Sequence, residues 1–232
     1  MSIARRLTEL RSELPEQVRI VAVSKFHEVS AIREAYEAGQ RMFGENRVQE
    51  LIPKYECLPK DIEWHFIGHL QVNKVKHIAP FIAMVQSVDS LKLLDELNRY
   101  AGKLCRRIRI LLQIHIAREA HKFGFSFDEA EELLSGELPR QFPNLIFSGL
   151  MGMATLTDDW EEVRREFASL SAFFTRLKTQ NFRDNSDFRE LSMGMSDDYR
   201  LAVEEGGTMI RIGSRLFGER NYRVSDWPAS PE

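Results

Sequence analysis

The feature that most constrains this chain is an alternation. Eight short apolar runs each give way to a stretch with helical periodicity, all between residues 19 and 222 and with no linker between units. Strands are read at residues 19–24, 41–46, 63–68, 81–88, 107–117, 144–154, 188–196 and 207–214. After the first comes residues 27–40, with Val29, Ile32 and Tyr36 on one helical face and Gly39 as its stop. Residues 48–58 are helical but interrupted by Pro53. The sixth helix is the clearest, since Trp160, Val163, Phe167, Leu170, Phe174 and Leu177 keep one period. Asp158 followed by Glu161 reads as its capping box, and its EEVRRE face as solvated surface. A further helix is expected to start near Ser196. Ahead of the first strand, Ile3, Leu7, Leu10 and Leu14 mark an amphipathic helix. The pattern predicts an α/β protein, a single (β/α)8 TIM barrel with an additional N-terminal helix, spanning residues 1–225 and followed by a loose tail at 226–232. A doubly wound sheet would also alternate, but the count of eight and a length of 232 residues fit the barrel.

Composition narrows the function. A formal net charge of −3 and a pI near 6.1 leave no electrostatic footprint for nucleic acid. The apolar runs are too short to span a membrane, and the N-terminus lacks a signal-peptide core. Cys57 and Cys105 form no CxxC pair, which suits reduced thiols in a cytoplasmic protein. HExxH is absent, and His65 and His69 fall on a strand and the turn after it, so no metal site is expected.

Chemistry in a barrel sits at the C-terminal ends of the strands. Strand one ends in Lys25, and strand two in Gly44-Glu45-Asn46. Strand seven ends in Met193-Gly194-Met195-Ser196; strand eight contains Arg211 and ends in Gly213-Ser214. Loops after strands seven and eight of a barrel commonly bind phosphate, and MGMSDD and RIGSRLFG supply the glycines and hydroxyls such a site needs. Ser196 and Ser214 would also serve as simple helix caps, a role compatible with an anion at the same place. A strand-end lysine ordinarily snorkels to solvent. Here it shares a cavity with a phosphate site and an inward arginine that needs a partner. Amine, cation and phosphate site together describe a pocket for an aldehyde carrying a phosphate, and pyridoxal 5′-phosphate (PLP) held as a Schiff base is the ligand of that kind.

AVSK (22–25), FGENRVQE (43–50), WHFIGHLQVNK (64–74), QSVDS (86–90), GLMGMA (149–154), LSMGMSDDYRLAV (191–203) and RIGSRLFGER (211–220) resemble the pyridoxal phosphate homeostasis protein family, also called the proline synthase co-transcribed family, from about residue 3 to 222. The resemblance implies a barrel like the N-terminal domain of alanine racemase and PLP as an aldimine on Lys25. It implies Arg211 facing the pyridine nitrogen, Asn46 beside the ring, and Ser196, Gly213 and Ser214, with the neighbouring Met195, on the phosphate. It further implies a role in buffering or delivering the cofactor, with apo-enzymes as receiving partners and no established turnover. Phe26 and His27 stand where the family has threonine after AVSK, and His115 follows Gln113 where the family has asparagine; Glu119, Lys122 and Gly124 complete that motif, with Lys122 implied to lie near bound cofactor.

Arginine opposite the ring nitrogen disfavours its protonation and weakens the electron sink, although alanine racemase works with the same pairing. Racemisation also needs an acid or base on the other face of the substrate. In that enzyme a tyrosine comes from a second domain of the partner subunit, for which this chain has no room. The expectation is a monomeric PLP buffer or carrier without catalytic residues. The alternatives are a PLP-dependent amino-acid racemase and a phosphate-binding barrel enzyme that uses no PLP.

Overall fold

The computed structural model describes residues 1–118, 123–135 and 138–218. Eight parallel strands follow one another in sequence order and close on themselves: β1 (Arg19–Val23), β2 (Met42–Glu45), β3 (Glu63–Phe66), β4 (Met84–Val88), β5 (Ile108–Ile114), β6 (Leu145–Gly152), β7 (Glu190–Ser192) and β8 (Met209–Ile212). β8 pairs with β1, placing Val21 opposite Arg211 and Ala22 opposite Ile212. Helices α2 (Val29–Glu37), α3 (Val48–Cys57), α4 (Val75–Ile78), α5 (Leu91–Lys103), α6 (Phe127–Ser135), α7 (Trp160–Gln180), α8 (Tyr199–Glu204) and α9 (Ser214–Phe217) follow the strands in turn, and α1 (Ile3–Ser12) precedes them. The expected (β/α)8 TIM barrel with an additional N-terminal helix is the fold. The expected tail, Glu119 and Lys122 lie outside the described residues.

The two-residue period of each strand sorts its side chains. Val21, Met84, Leu111, Met151 and Met209 fill the barrel interior, with Met42 and Met153 packed against them. Five of these seven are methionines, so the interior closes around flexible side chains rather than a rigid aliphatic layer. Ala22, Phe43, Trp64, Val85, Ile110, Leu150 and Ile210 point the other way into the layer shared with the helices. Close approach of β6 and β7 requires Gly149: its φ is +145°, and a Cβ there would lie 1.8 Å from the Glu190 carbonyl oxygen. At the N-terminal end of the barrel, Glu190 pairs with Arg19 and Arg189, and Arg109 with Asp187.

Ile3, Leu7 and Leu10 of α1 are buried as their spacing predicts, and Ser2 caps the helix by accepting from Arg5 N–H. Several local expectations are corrected. α3 runs through Pro53 instead of stopping; the ring removes one backbone donor, but Val48, Leu51 and Lys54 are buried and keep the helix docked. α7 is capped by Asp159, whose side chain accepts from Glu161 and Glu162 N–H, and not by Asp158. Its EEVRRE face is not plain surface: Glu162 is buried against Arg118, Arg164 pairs with Glu204 and Glu205, and Glu166 accepts from the backbone N–H and hydroxyl of Thr155. Trp160, expected on the buried face, is 47% exposed because it occupies the first helical turn, beyond the barrel edge. The helix after β7 begins at Tyr199, three residues later than Ser196, since Met195-Ser196-Asp197 turns back toward β8 first. Cys57 and Cys105 are exposed and free. No helix among the described residues is long and apolar enough to cross a membrane.

Candidate functional site

Lys25 lies two residues beyond β1, half-buried in the turn from Ser24 to His27, which His27 N–H closes by donating to the Ser24 carbonyl at 3.0 Å. It has the inward parity of Val21 and Val23. The backbone of Gly213, at the end of β8, abuts Val23, so the ends of β1 and β8 meet under the turn. The ring of His27 stacks on Phe217 of α9 with centroids 4.6 Å apart, a second tie between these loops.

Arg211 lies on β8 opposite Val21 and is almost fully buried. Its Nη1 donates to Ser192 Oγ at 2.7 Å and its Nη2 to the Gly152 carbonyl at 2.8 Å. Burial pulls its pKa down to about 10, against the opposing field of Asp198. The Ser192 hydroxyl donates in turn to Gln86 Oε1 at 2.7 Å, and Gln86 Nε2 lies 2.8 Å from His65 Nδ1. Burial and the charge of Arg19 hold the His65 pKa near 3, so the imidazole is neutral, with Nδ1 the acceptor. A hydrogen-bonded chain thus runs down the barrel axis and locks the guanidinium by neutral acceptors. No described carboxylate forms an ion pair with Arg211.

The remaining predicted residues lie just past the ends of β2, β7 and β8. Asn46 follows β2 directly, and its buried Oδ1 has no hydrogen-bond partner. A Cβ on Gly68 would lie 2.6 Å from the Asn46 carbonyl oxygen, so that glycine lets the β3 end close against it. Asn46 also lines a cavity of about 470 Å³ with Arg47, Gln49, His69, Gln71 and Lys74, two of them permanent cations. His69 Nδ1 is 2.7 Å from Asp89 Oδ2, and its ring stacks on Phe123. Ser196 Oγ accepts from Gly213 N–H at 3.3 Å, joining the loops after β7 and β8. Ser214 opens α9 and is exposed. Met195 is 40% exposed and its N–H is already used by Asp198 Oδ1. A larger cavity of about 720 Å³ lies at the opposite end of the barrel, near Arg107, Phe142, Leu145 and Asp187, away from every one of these groups.

The spacing of motifs did not point to Ser192, Gln86 or His65 as supports of Arg211, nor to Glu45, Glu50 and Lys54 around the Lys25 turn. The usable signal was parity: Gln86 shares the inward face with Met84, and Ser192 with Glu190.

The sequence family described as "Alanine racemase, N-terminal domain" matches residues 1–221. The pyridoxal phosphate homeostasis protein of Vibrio alginolyticus is 39% identical over 213 residues, 90% of this chain and 89% of that one. Its human namesake is 38% identical over 237 residues, covering 98% of this chain and 84% of that one. The chain belongs to the pyridoxal phosphate homeostasis protein family. Among solved structures, PipY of Synechococcus elongatus PCC7942 with PLP bound aligns with a TM-score of 0.83 and 42% identity, covering 94% of this chain and all of that one. An alanine racemase of Clostridium difficile aligns with a TM-score of 0.73 at 13% identity over 57% of its own length, a likeness of fold alone. No group of three or more His, Cys, Asp or Glu among the described residues is arranged to hold a metal ion.

Proposed function

We propose that the chain binds PLP at the barrel mouth and acts in cofactor homeostasis, as a buffer or carrier without turnover of its own. The observation that carries the reading is Arg211, a buried cation satisfied only by neutral oxygens on the strand that pairs with the one leading to Lys25. A buried cation in that state favours an electron-rich acceptor or an anion next to it. The unpartnered Oδ1 of Asn46 is a second group that a bound ligand would satisfy. When bound, PLP supplies an aldehyde that condenses with a primary amine and a ring that withdraws electrons. Lys25 is the amine that would anchor it, Arg211 would face the ring nitrogen, and Asn46 would lie beside the ring. Ser196, Gly213 and Ser214 would hold the phosphate, and Met195 would shape that loop through its bond to Asp198.

The chain's own residues favour holding over turnover. Arg211 is a donor locked at both terminal nitrogens and does not release a proton near neutral pH. All four described tyrosines sit on helices α2, α3, α5 and α8, and the hydroxyl of Tyr199 is occupied by Glu13. None sits at a strand end, where it would face the amine across a substrate. A monomeric, cytoplasmic carrier that passes PLP to apo-enzymes completes the proposal.

The test is an absorption spectrum of purified protein, with mass analysis after borohydride reduction. Visible colour and a reduced adduct on Lys25 are expected, both lost in Lys25→Ala, with weaker cofactor retention in Arg211→Ala. A colourless protein with no adduct after incubation with PLP ends the cofactor reading. Racemisation of any amino acid above the rate of free PLP ends the carrier reading in favour of an enzyme.

A further inference from the structure

Three charges buried beside the Lys25 turn have no part in holding the cofactor. Glu45 at the end of β2 and Glu50 and Lys54 on α3 are each at most 2% exposed. They converge on the backbone on both sides of Lys25. Before it, the Ser24 hydroxyl donates to Glu45 Oε1 at 2.6 Å, and Lys54 Nζ donates to the Ser24 carbonyl at 2.8 Å. After it, the Phe26 N–H donates to Glu50 Oε2 at 2.9 Å. Lys54 ties the cluster together, 2.7 Å from Glu45 Oε1 and 3.7 Å from Glu50 Oε2.

The cluster is a poor device for stability alone. Each ion loses its hydration on burial, and well-packed apolar residues of similar volume are commonly as stabilising or more so. Burial raises the Glu45 pKa despite Lys54. Glu45 Oε2 and Glu50 Oε1 have no hydrogen-bond partner, the latter only a loose ion pair with Arg47 at 3.8 Å. α3 has Val48 and Leu51 to dock it without any charge. What apolar residues lack is a directional acceptor for the Phe26 N–H, and the turn needs one. Phe26 has φ +69°, a left-handed conformation unfavourable for a residue with a Cβ. The Glu50 carboxylate bonds the backbone of this strained residue directly.

We infer that Glu45, Glu50 and Lys54 are positioning residues that fix the Ser24–Phe26 backbone and so aim the Lys25 amine into the mouth. The inference rests on the reading of Lys25 as the cofactor anchor. Glu50 holds the strained side of the turn, and Glu45 with Lys54 holds the side continuous with β1. Glu50 acts only through Lys25 and touches no ligand.

The experiment uses the full chain stripped of cofactor and titrated with PLP, as wild type, Glu50→Leu, Glu50→Gln and Ser24→Ala. Three quantities are read: the apparent Kd, the visible-band ellipticity per bound cofactor, and the melting temperature of the cofactor-free protein. Glu50→Leu should bind about tenfold more weakly, the effect of one charge-assisted hydrogen bond, with reduced ellipticity and a melting temperature lowered by no more than the loss of that one bond. Glu50→Gln keeps an acceptor for the Phe26 N–H and should restore most of both signals. Ser24→Ala removes the hydroxyl's bond to the Glu45 carboxylate but leaves Lys54 on the Ser24 carbonyl, and should lose about threefold in affinity, less than Glu50→Leu. If Glu50→Leu does not melt cooperatively, Ser24→Ala decides by the same readouts. Binding and ellipticity equal to wild type in the variants overturn the positioning role, as does a loss of affinity matched by lost stability with ellipticity intact. A wild-type chain that takes up no PLP overturns the cofactor reading itself, and this inference with it.

Discussion

On the β1–β2 side of the mouth, the Lys25 turn rests on Glu45, Glu50 and Lys54, all sealed from water. On the β7–β8 side, the short helices α8 and α9 rest on Glu13, just past the end of α1, whose side chain is 32% exposed. Glu13 accepts from the Tyr199 hydroxyl and from Arg200 and Arg215, the arginines being 67% and 39% exposed. Both braces use carboxylates and cations, but the dielectric around them differs. The sealed brace loses hydration in full, so it is rigid when complete and costly when broken. The wet brace is screened by water and salt, and each of its bonds is weak and replaceable. The difference matches what each side would have to do. An amine that forms a covalent bond needs a fixed direction; a phosphate, bound through several donors at once, tolerates small shifts.

The comparison breaks most visibly at Lys54. Lys54→Met leaves Glu45 buried without its cation and Glu50 with only Arg47 at 3.8 Å, and should cost about 3–5 kcal/mol in urea or guanidinium unfolding. A loss below about 1 kcal/mol, the range of exposed pairs, would mean that the sealed brace behaves like the wet one. Glu13→Ala should cost about 1 kcal/mol by the same measurement, as an exposed network does. Its pH signature is also defined. Hydrogen bonds from Tyr199 and Arg200 lower the Glu13 pKa from 4.5 to about 2. The folded form therefore binds the proton less readily than the unfolded one, and the contribution is full above pH 4.5 and lost as pH falls through about 2. Unfolding curves of wild type and Glu13→Ala should converge across that window; parallel curves would remove Glu13 from the brace. The smallest effect is that of salt. At 1 M, where the Debye length is about 3 Å, the Glu13→Ala deficit should shrink while the Lys54→Met deficit stays. Equal shrinkage of both would put the Lys54 cluster in contact with solvent.

What the sequence made legible was periodicity and parity. Alternating strands and helices gave the barrel, the spacing of Ile3, Leu7 and Leu10 gave α1, and counting by twos along β1 fits Val21 as interior filling. Charges on helices were misjudged on α7 and passed over on α3 for one physical reason. Glu50 and Lys54, or Glu162 and Glu166, stand at the i, i+4 spacing that usually marks solvated surface. Only the docked neighbour decides otherwise: the β1 turn covers the first pair, and Arg118 and Thr155 meet the second. Boundaries failed where polar residues interrupt the period, as at Ser196, whose hydroxyl serves Gly213 across the mouth instead of opening a helix. The chain of Ser192, Gln86 and His65 was illegible because three polar residues on different strands share no spacing in sequence.

α1 meets the far end of the described chain: Arg6 donates to the Leu216 carbonyl, and Glu13 bonds Arg215. These partners are separated by 210 and 202 residues. A ribosome adds about 5–20 residues per second, so α1 emerges on the order of ten seconds or more before its partners exist. During that interval its apolar stripe has no α9 to pack beside. One side of α1 therefore waits for α9, while the other settles early on α2, where Glu34 accepts from Ile3 N–H and the carbonyls of Ala38 and Gly39 accept from Arg11. The support is mutual: the loops that would hold a phosphate gain the Glu13 brace, and α1 its second neighbour, only after translation has passed β8.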